Sequence, residues 1–505
     1  MREVANDASP VRYDRWKAPS EDGEILIWPD AEQLLSDTRE NHARLSTCDS
    51  VLLQNVAFPE VRRRMRQWLG HDDAQPLVAT GHQAELHHPG VWAKNVLIDA
   101  AARKLGGRAF HFAVDTDEPK HMELRWPGGS VPLTDDARVR QAAWSGLVAP
   151  PSPAHLTKIE ESLARASAVW SFKPAAPEFL KALRRQSAGA GNLPAVLAGS
   201  LHALDGELGL RYDATIVSPV CSSEPYLLFV HHVLARAGEF AAQYNDALAR
   251  FRRRNKIKDP GRPMPDLKVT GEACEVPFWL DSLTDGTRSR ASVVPIDGRW
   301  ALRLPDGNVF RLDPSAPGWE AAGSLLAWLG RNGLRLSPRA LTLTAVLRLL
   351  VADQFVHGIG GGQYDQVLDS LIHSHFGIEP PRFSVTTATL VFPEAVGQPR
   401  ACLPCVVREG HLIRHSALGE EKMRLVGQIA AAARGSHERS ALFHEMHRRL
   451  TVAAAEPLKD WARRLRESEE RAQAERVLFD RELFYAIQPS DRLAGLVSRY
   501  RANFG

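Results

Sequence analysis

The stretch from Pro76 to Val114 constrains the fold more than any other part of the chain. It opens with the apolar run Pro76-Leu77-Val78-Ala79 and continues into a polar loop, Thr80-Gly81-His82-Gln83-Ala84-Glu85-Leu86-His87-His88-Pro89-Gly90. A helix-like segment from Ala93 to Leu105 follows, and then a β-like run from Arg108 to Val114. Strand, loop, helix and strand within about 40 residues is a βαβ unit, and it implies a parallel sheet. In such sheets ligands gather beyond the carboxyl ends of the strands. Helix N-termini there offer free N–H groups and the positive end of the helix dipole. The loop falls at that edge. Thr80, Gly81, Gln83 and Gly90 suit close contact with a ligand, His82, His87 and His88 add hydrogen bonds to an anion, and Lys94 adds a fixed positive charge. Taken alone, the same loop also reads as a polar helix cap.

A second segment points the same way. Phe355-Val356-His357-Gly358-Ile359-Gly360-Gly361-Gly362-Gln363-Tyr364-Asp365 puts a glycine-rich turn between an apolar segment and a helix expected from Tyr364 to His373. Glycines at Gly358, Gly360, Gly361 and Gly362 let the backbone approach a ligand closely. The pattern lacks the Lys-Ser/Thr ending of a P-loop and the spacing of a dinucleotide fingerprint, so neither label applies. Two such loops, each with a histidine, read as two walls of one nucleotide or phosphate pocket.

The 505 residues suffice for two or three domains. A formal charge of +3 gives no support to a nucleic-acid binder. No apolar run is long enough to span a membrane, and Met1 to Asp7 lacks the apolar core of a signal peptide, so the expected home is the cytoplasm. Five cysteines do not make a disulfide framework.

The chain divides into an N-terminal helical segment (1–75), a first half of an α/β core (76–220), a helical linker with a small antiparallel β insert (221–335), a second half of the core (336–400), and a helical arm with the C-terminal segment (401–505). Helices are expected over Glu32 to Leu45 and Phe58 to Leu69, the latter with Arg62, Arg63, Arg64 and Arg66 on its polar side. Pro225 to Arg254 is strongly helical. Short strands follow between Cys274 and Leu312, with hairpin signals at Asp285-Gly286, Asp297-Gly298 and Asp306-Gly307. The α/β pattern resumes near Leu336, and Ser384 to Phe392 is a further strand. From Glu420 the sequence is helical and highly charged. Pro457 interrupts its partly heptad spacing, so a coiled-coil-like arm or antiparallel hairpin is expected, packed on its own chain or on a twin copy.

On these residues the chain resembles the bacillithiol-biosynthesis cysteine-adding enzymes. Thr80-Gly81-His82-Gln83-Ala84, then Pro89-Gly90 and Lys94, stand where the family has a Thr-Gly-Gln-Gln-Ala loop, a Gly-Pro pair and a lysine. Asp115-Thr116-Asp117-Glu118 with His121 stands for the family's acidic cluster containing a histidine. Leu336-Ser337-Pro338-Arg339 leads into the glycine-rich loop and Tyr364, and the helical arm is the fourth feature. The resemblance is clearest over 77–125 and 336–392. It implies a Rossmann-like nucleotidyltransferase-type core with inserts, a dimerising arm, a nucleotide pocket, and a ligase that joins cysteine to an amino-sugar conjugate. His82 replaces a family glutamine, Lys94 comes about two residues early, Thr116 replaces a histidine and Asp365 an aromatic. These changes mark a divergent member acting on a different amine or amino acid.

Amide formation fits the residue types. A carboxylate must first become an acyl adenylate or acyl phosphate, so phosphate charge has to be stabilised. His82, His88, Lys94 and the N–H groups near His357 and Gly358 suit that task. The amine must be neutral when it attacks, which makes Asp115, Asp117 and His121 candidate bases beside His82. The same carboxylates could hold Mg²⁺ bridged to ATP or ADP. Asp115 to Asp117 also suit a helix N-cap. Arg339 and Asp365 are the candidate substrate-binding pair, with Arg339 gripping a carboxylate or holding a domain seam. Cys402-Leu403-Pro404-Cys405 is a CxxC pair, read as structural thiols, a redox pair or half of a zinc site. Two other classes stay open: a nucleotidyltransferase or other nucleotide-dependent transferase, and a non-catalytic nucleotide binder.

Overall fold

The computed structural model describes residues 16–71, 73–189, 191–304 and 306–505. Residues 1–15, which begin the expected N-terminal helical segment, lie outside them. In chain order the labelled strands are β1 (Ile25–Trp28), β2 (Leu77–Gln83), β3 (Arg108–Val114), β4 (Asp213–Ile216), β5 (Cys274–Ser282), β6 (Arg288–Ile296), β7 (Arg299–Arg303), β8 (Val309–Arg311), β9 (Leu334–Pro338), β10 (Gln354–His357) and β11 (Phe383–Ala388). The helices that matter here are α1 (Ala31–Ser46), α2 (Phe58–Trp68), α3 (Pro89–Leu105), α4 (Ile359–Leu371) and α5 (Ser490–Ala502).

The fold is mixed α/β. The central sheet runs β1-β11-β10-β2-β3-β4, with β1 antiparallel to β11 and the other five strands parallel. The expected βαβ unit is β2, α3 and β3. Leu77 to Thr80 of β2, and all of β10 and β11, are buried, as in a sheet covered on both faces. Numbered among themselves in chain order, the parallel strands lie 3-2-1-4-5. The order reverses between β2 and β10, and such a reversal opens a crevice at the carboxyl ends of the strands.

The β2–β10 pairing is fastened from below by Asp353. This buried carboxylate pairs with Arg62 and Arg66 and accepts a hydrogen bond from the Leu77 N–H at 2.7 Å. Arg62 also donates to Leu349 O at 2.7 Å. Arg62 and Arg66 are therefore not on a solvated face of α2, as the sequence suggested. Their guanidiniums are fully buried and hold the start of both strands. Burial opposes the Asp353 charge. Arg62, the His42 hydrogen bond and Arg66 outweigh it and hold the carboxyl below its ordinary value.

The β insert is a five-stranded antiparallel sheet, β8-β7-β6-β5-β9. Its strands match the expected ones. Asp297 and Gly298 both have positive φ, 51° and 76°, as a type I′ turn between β6 and β7 requires. One expectation is corrected: the Leu336 segment is β9, which pairs with β5, and the central sheet resumes only at β10. The long helical stretch is two helices, Glu224–Ala235 and Ala237–Arg254.

The chain forms two compact units. One runs up to Leu390 and includes Arg481–Gly505; the other is Val391–Asp480. The expected arm over 401–505 thus ends early, because the buried apolar run Leu483 to Ile487 and α5 belong to the first unit. Within the second unit, the helices Leu403–Ser416 and Gly419–Ala431 pack on His437–Glu475, which continues through Pro457. Trp461 donates to Val406 O at 2.7 Å and lies where a side chain at Gly410 would sit. Leu425, Ile429, Met446 and Leu450 form a small core. No helix among the described residues is long and apolar enough to cross a membrane.

Asp353→Asn leaves Arg62 buried without its counter-charge, and such losses cost about 3–5 kcal/mol. Urea unfolding is expected to show a loss of that size. Because the carboxyl is held low, its contribution is present above the ordinary carboxylate range and fades as pH falls through the folded value. A variant as stable as wild type at neutral pH would contradict the anchoring role.

Candidate functional site

Two cavities open at the reversal point and share the wall Gly81, His82, Gln83 and Gly361. The larger, about 540 Å³, is bordered by His88, Lys94, His357, Gly358, Gly360, Thr387 and Arg481, with Glu482 as its one carboxylate. The other, about 410 Å³, is bordered by Thr116, Asp117, Tyr244, Trp279, Arg339 and Thr342. The first is a cationic chamber; the second mixes aromatic rings with one carboxylate and one guanidinium.

The cationic chamber is built on two helix starts. At α3, His88 is the N-cap, and its Nδ1 accepts from the Gly90 N–H at 3.1 Å. The neutral ring therefore carries its proton on Nε2. Gly90 has no room for a side chain, since a Cβ would lie 2.5 Å from Arg481 Nη2 and 2.6 Å from Thr387 Oγ1. Lys94, one turn further on, donates from Nζ to Gly81 O at 2.8 Å. Burial lowers Lys94 to about 7, with Glu85 partly opposing. Burial, with Arg481, His121 and Lys94 nearby, lowers His88 to about 4. His82 holds Glu85 Oε1 at 2.9 Å, and burial followed by the Lys94 charge disfavours its protonated form.

At α4 the glycine-rich segment is not a turn ahead of a helix. It is the first turn of the helix itself, capped by no side chain. Glycine costs helix stability, so propensity pointed to a later start. Gly362 N–H makes the first internal bond, to Gly358 O, which leaves the Ile359, Gly360 and Gly361 N–H groups without an intrahelical partner. A Cβ on Gly360 would meet nothing within 4 Å, whereas one on Gly361 would lie 2.9 Å from His357 Nδ1.

The second chamber is centred on Asp117. Its Oδ2 accepts from Gln83 Nε2 at 2.9 Å and its Oδ1 from the Glu118 N–H at 2.9 Å. Arg339 borders the same space, stacked on Trp279 at 5.1 Å and paired with Glu275 at 2.5 Å. Its guanidinium both lines the cavity and ties the β insert.

Several expected ligand-facing residues do other work. Thr80 is buried and donates to Val356 O at 2.7 Å, which locks β2 to β10. Gly362 packs against Val385, where a Cβ would come within 2.5 Å. Tyr364 is 42% exposed and borders neither cavity. Asp365 is buried, paired with Arg348 and 3.0 Å from His357 Nε2, so it orients His357 and does not reach a substrate. Asp115 caps the short helix Val217–Val220 by accepting from the Ser218 N–H at 2.8 Å, and burial pushes its carboxyl up. Asp115 thus serves the start of a distant helix, not one that follows it in sequence, and of the two carboxylates Asp117 alone lines the cavity. His121 is exposed and outside both linings.

The sequence reading missed Arg481 and Thr387. Arg481 donates to Thr387 Oγ1 at 2.9 Å and Ala388 O at 3.0 Å, and burial lowers its pKa. It is carried there by Tyr485, whose N–H donates to His87 O at 2.8 Å and whose ring stacks on Trp92 at 4.8 Å. The apolar run Leu483 to Ile487 was the available signal.

Among the described residues no group of three His, Cys, Asp or Glu side chains is arranged to hold a metal ion. Asp117 is the carboxylate of the second chamber. A Mg²⁺ there would rely on phosphate and water for most of its ligands, a normal mode for that ion. No protein-family model matches the chain, and no curated protein matches it.

Gly360→Val fills the cationic chamber without a clash, whereas Gly362→Ala collides with the core. Calorimetry with ATP and ADP is expected to show loss of binding in Gly360→Val at unchanged melting temperature. Gly362→Ala is expected to lower the melting temperature. Equal binding by Gly360→Val and wild type would place the ligand elsewhere.

Proposed function

We propose that the protein is a carbon–nitrogen ligase that activates an amino-acid carboxylate with ATP and passes the acyl group to a small amine. The observation that carries this reading is the shared wall. A cationic chamber suited to phosphate and a chamber holding a carboxylate beside aromatic rings meet at His82 and Gln83. Two reactants bound on either side would be brought together there, which converts a bimolecular step into a local one. The 3-2-1-4-5 strand order supports a Rossmann-like core, whose ligand would lie at the crevice beyond the carboxyl ends of the strands. Cysteine as the amino acid and an amino sugar as the amine rest on the family resemblance.

The residues divide by chemistry. Lys94, Arg481, the His88 Nε2–H and the free N–H groups of α4 would bind and neutralise phosphate oxygens. ATP would supply the leaving group that makes the carboxylate electrophilic. His82, held by Glu85, stands at the junction as a hydrogen-bonding group. Asp117, its position fixed by Gln83, would hold the incoming amine and take its proton. Arg339 would add a positive edge for a substrate carboxylate. Pyrophosphate release without an amine acceptor would favour the transferase reading instead.

The protein is further proposed to be a homodimer through its arm. Leu412 is 58% exposed, and Met423 and Val452 are each 69% exposed. These apolar surfaces are suited to a second copy. Light scattering is expected to report a dimer for wild type and a monomer for Met423→Glu with Leu412→Glu; a monomeric wild type removes the idea.

Lys94 gives the site a pH signature. Its folded value lies far below the ordinary lysine value, so the free site loses this charge as pH rises through about 7. A bound polyphosphate favours the charged form, so binding above neutrality takes up a proton. From about pH 7 to pH 9, affinity for ATP is expected to fall by up to about tenfold per pH unit. Calorimetry in buffers of different ionisation enthalpy measures the uptake, which Lys94→Met abolishes. Binding without proton uptake would exclude Lys94 from the phosphate site.

A further inference from the structure

The CxxC pair lies in the second unit, away from the roles described above. Cys402 and Cys405 are joined as a disulfide, and both residues are exposed. The pair begins the 14-residue helix Leu403–Ser416, with Cys402 as the N-cap and Cys405 in the first turn. A groove of about 490 Å³ opens beside it, bordered by Arg400, Cys402, Pro404, Glu475 and Arg476. Its charge is predominantly positive. Glu475 is committed to the Ala401 N–H at 2.9 Å and to Arg471. Arg400 stacks on Phe479 at 5.6 Å. No hydrogen bond or ion pair among the described residues engages the Arg476 side chain.

We propose that Cys402–Cys405 is a thiol–disulfide exchange site whose groove admits a small thiol bearing a carboxylate. Three features converge on this reading. The bond is open to attack, which distinguishes exchangeable disulfides from structural ones. A thiolate released in the first turn of a helix is stabilised by the free N–H groups and dipole there. The groove reaches Cys402 and offers two guanidiniums to an anion. The small thiolate attacks Cys402 Sγ; the Cys402–Cys405 bond breaks, and its electron pair leaves on Cys405 Sγ. A second small thiolate attacks the small-molecule sulfur of the mixed disulfide and releases Cys402 as a thiolate. Two small thiols are oxidised to one disulfide, the protein cystine is reduced to two thiols, and the two protons lost by the small thiols are taken up by the cysteines. The reverse sequence reoxidises the protein.

The test uses full-length oxidised protein carrying Cys48→Ser, because Cys48 is the partly exposed free thiol while Cys221 and Cys274 are buried. It is reacted with 3-mercaptopropionate, 2-mercaptoethanol and cysteamine at matched thiolate concentration. New thiols are alkylated and mapped by mass spectrometry. The expected order of rates is carboxylate, then neutral, then cationic thiol, with the first roughly three- to fivefold above the second, the size expected of exposed charge pairs. High salt and the pair Arg400→Gln, Arg476→Gln are expected to erase the difference. Cys405→Ser, treated with the symmetrical disulfide of 3-mercaptopropionate, is expected to hold a mixed disulfide on Cys402 and to release one equivalent of 3-mercaptopropionate, because no second cysteine is there to resolve it. Equal rates for the three thiols on the Cys48→Ser protein, or first attack mapping to Cys405, would overturn the proposal, and neither readout depends on a substitution in the groove or the cystine.

Discussion

The pairing of β2 with β10 is the constraint on which the rest of the first unit depends. These strands are separated by some 270 residues of sequence, yet their carboxyl ends frame the crevice. Asp353 fixes their start by taking the Leu77 N–H and two arginines, and Thr80 fixes their middle through Val356 O. The backbone then diverges into α3 on one side and α4 on the other. A buried ion pair is an expensive way to join strands, because both charges must leave water. Here the guanidiniums also satisfy the carbonyls of Leu349 and Ala352, so one cluster sets both register and strand start.

Electrostatics at the open end are the reverse of those at the closed end. Below, every cation has its carboxylate. Above, Lys94 and Arg481 hydrogen-bond to neutral oxygens of Gly81, Thr387 and Ala388, and burial lowers both although Glu85 and Glu482 nearby oppose it. Positive charge kept against desolvation, beside helix N–H groups with no partner, is an arrangement that an anion relieves. The neutral histidines fit the same account, since His88 and His82 offer hydrogen bonds without adding charge that burial would oppose.

Local signals made the α/β class, the βαβ unit and the insert hairpins legible in the sequence. The Pro76–Val114 periodicity and the Asp-Gly turns depend on neighbours only. The residues misread are those whose meaning is set by distant partners. Arg62 and Arg66 look solvated until Asp353 is placed beside them, and Asp365 looks available until Arg348 takes it. The glycine run reads as a loop by propensity, and tertiary packing makes it helical. Among the cavity walls, His82 and Gln83 at the carboxyl end of β2, His88 and Lys94 at the start of α3, and Asp117 just after β3 were legible from their place in the βαβ unit. Arg481 was not, because it follows a long charged helix and reaches the crevice only through the docking of Tyr485.

Carboxylate activation is the central claim, and oxygen-label transfer tests it most directly. Cysteine carrying oxygen-18 in its carboxylate is incubated with the protein, ATP and Mg²⁺, with hydroxylamine as a small amine trap. Activation through an acyl phosphate or acyl adenylate moves one labelled oxygen into phosphate or AMP as the hydroxamate forms. The account predicts that transfer, with label and hydroxamate appearing together. Hydroxamate formed with the departing labelled oxygen in water and none in phosphate or AMP, or no hydroxamate and no labelled phosphate species with any amino acid, would contradict it.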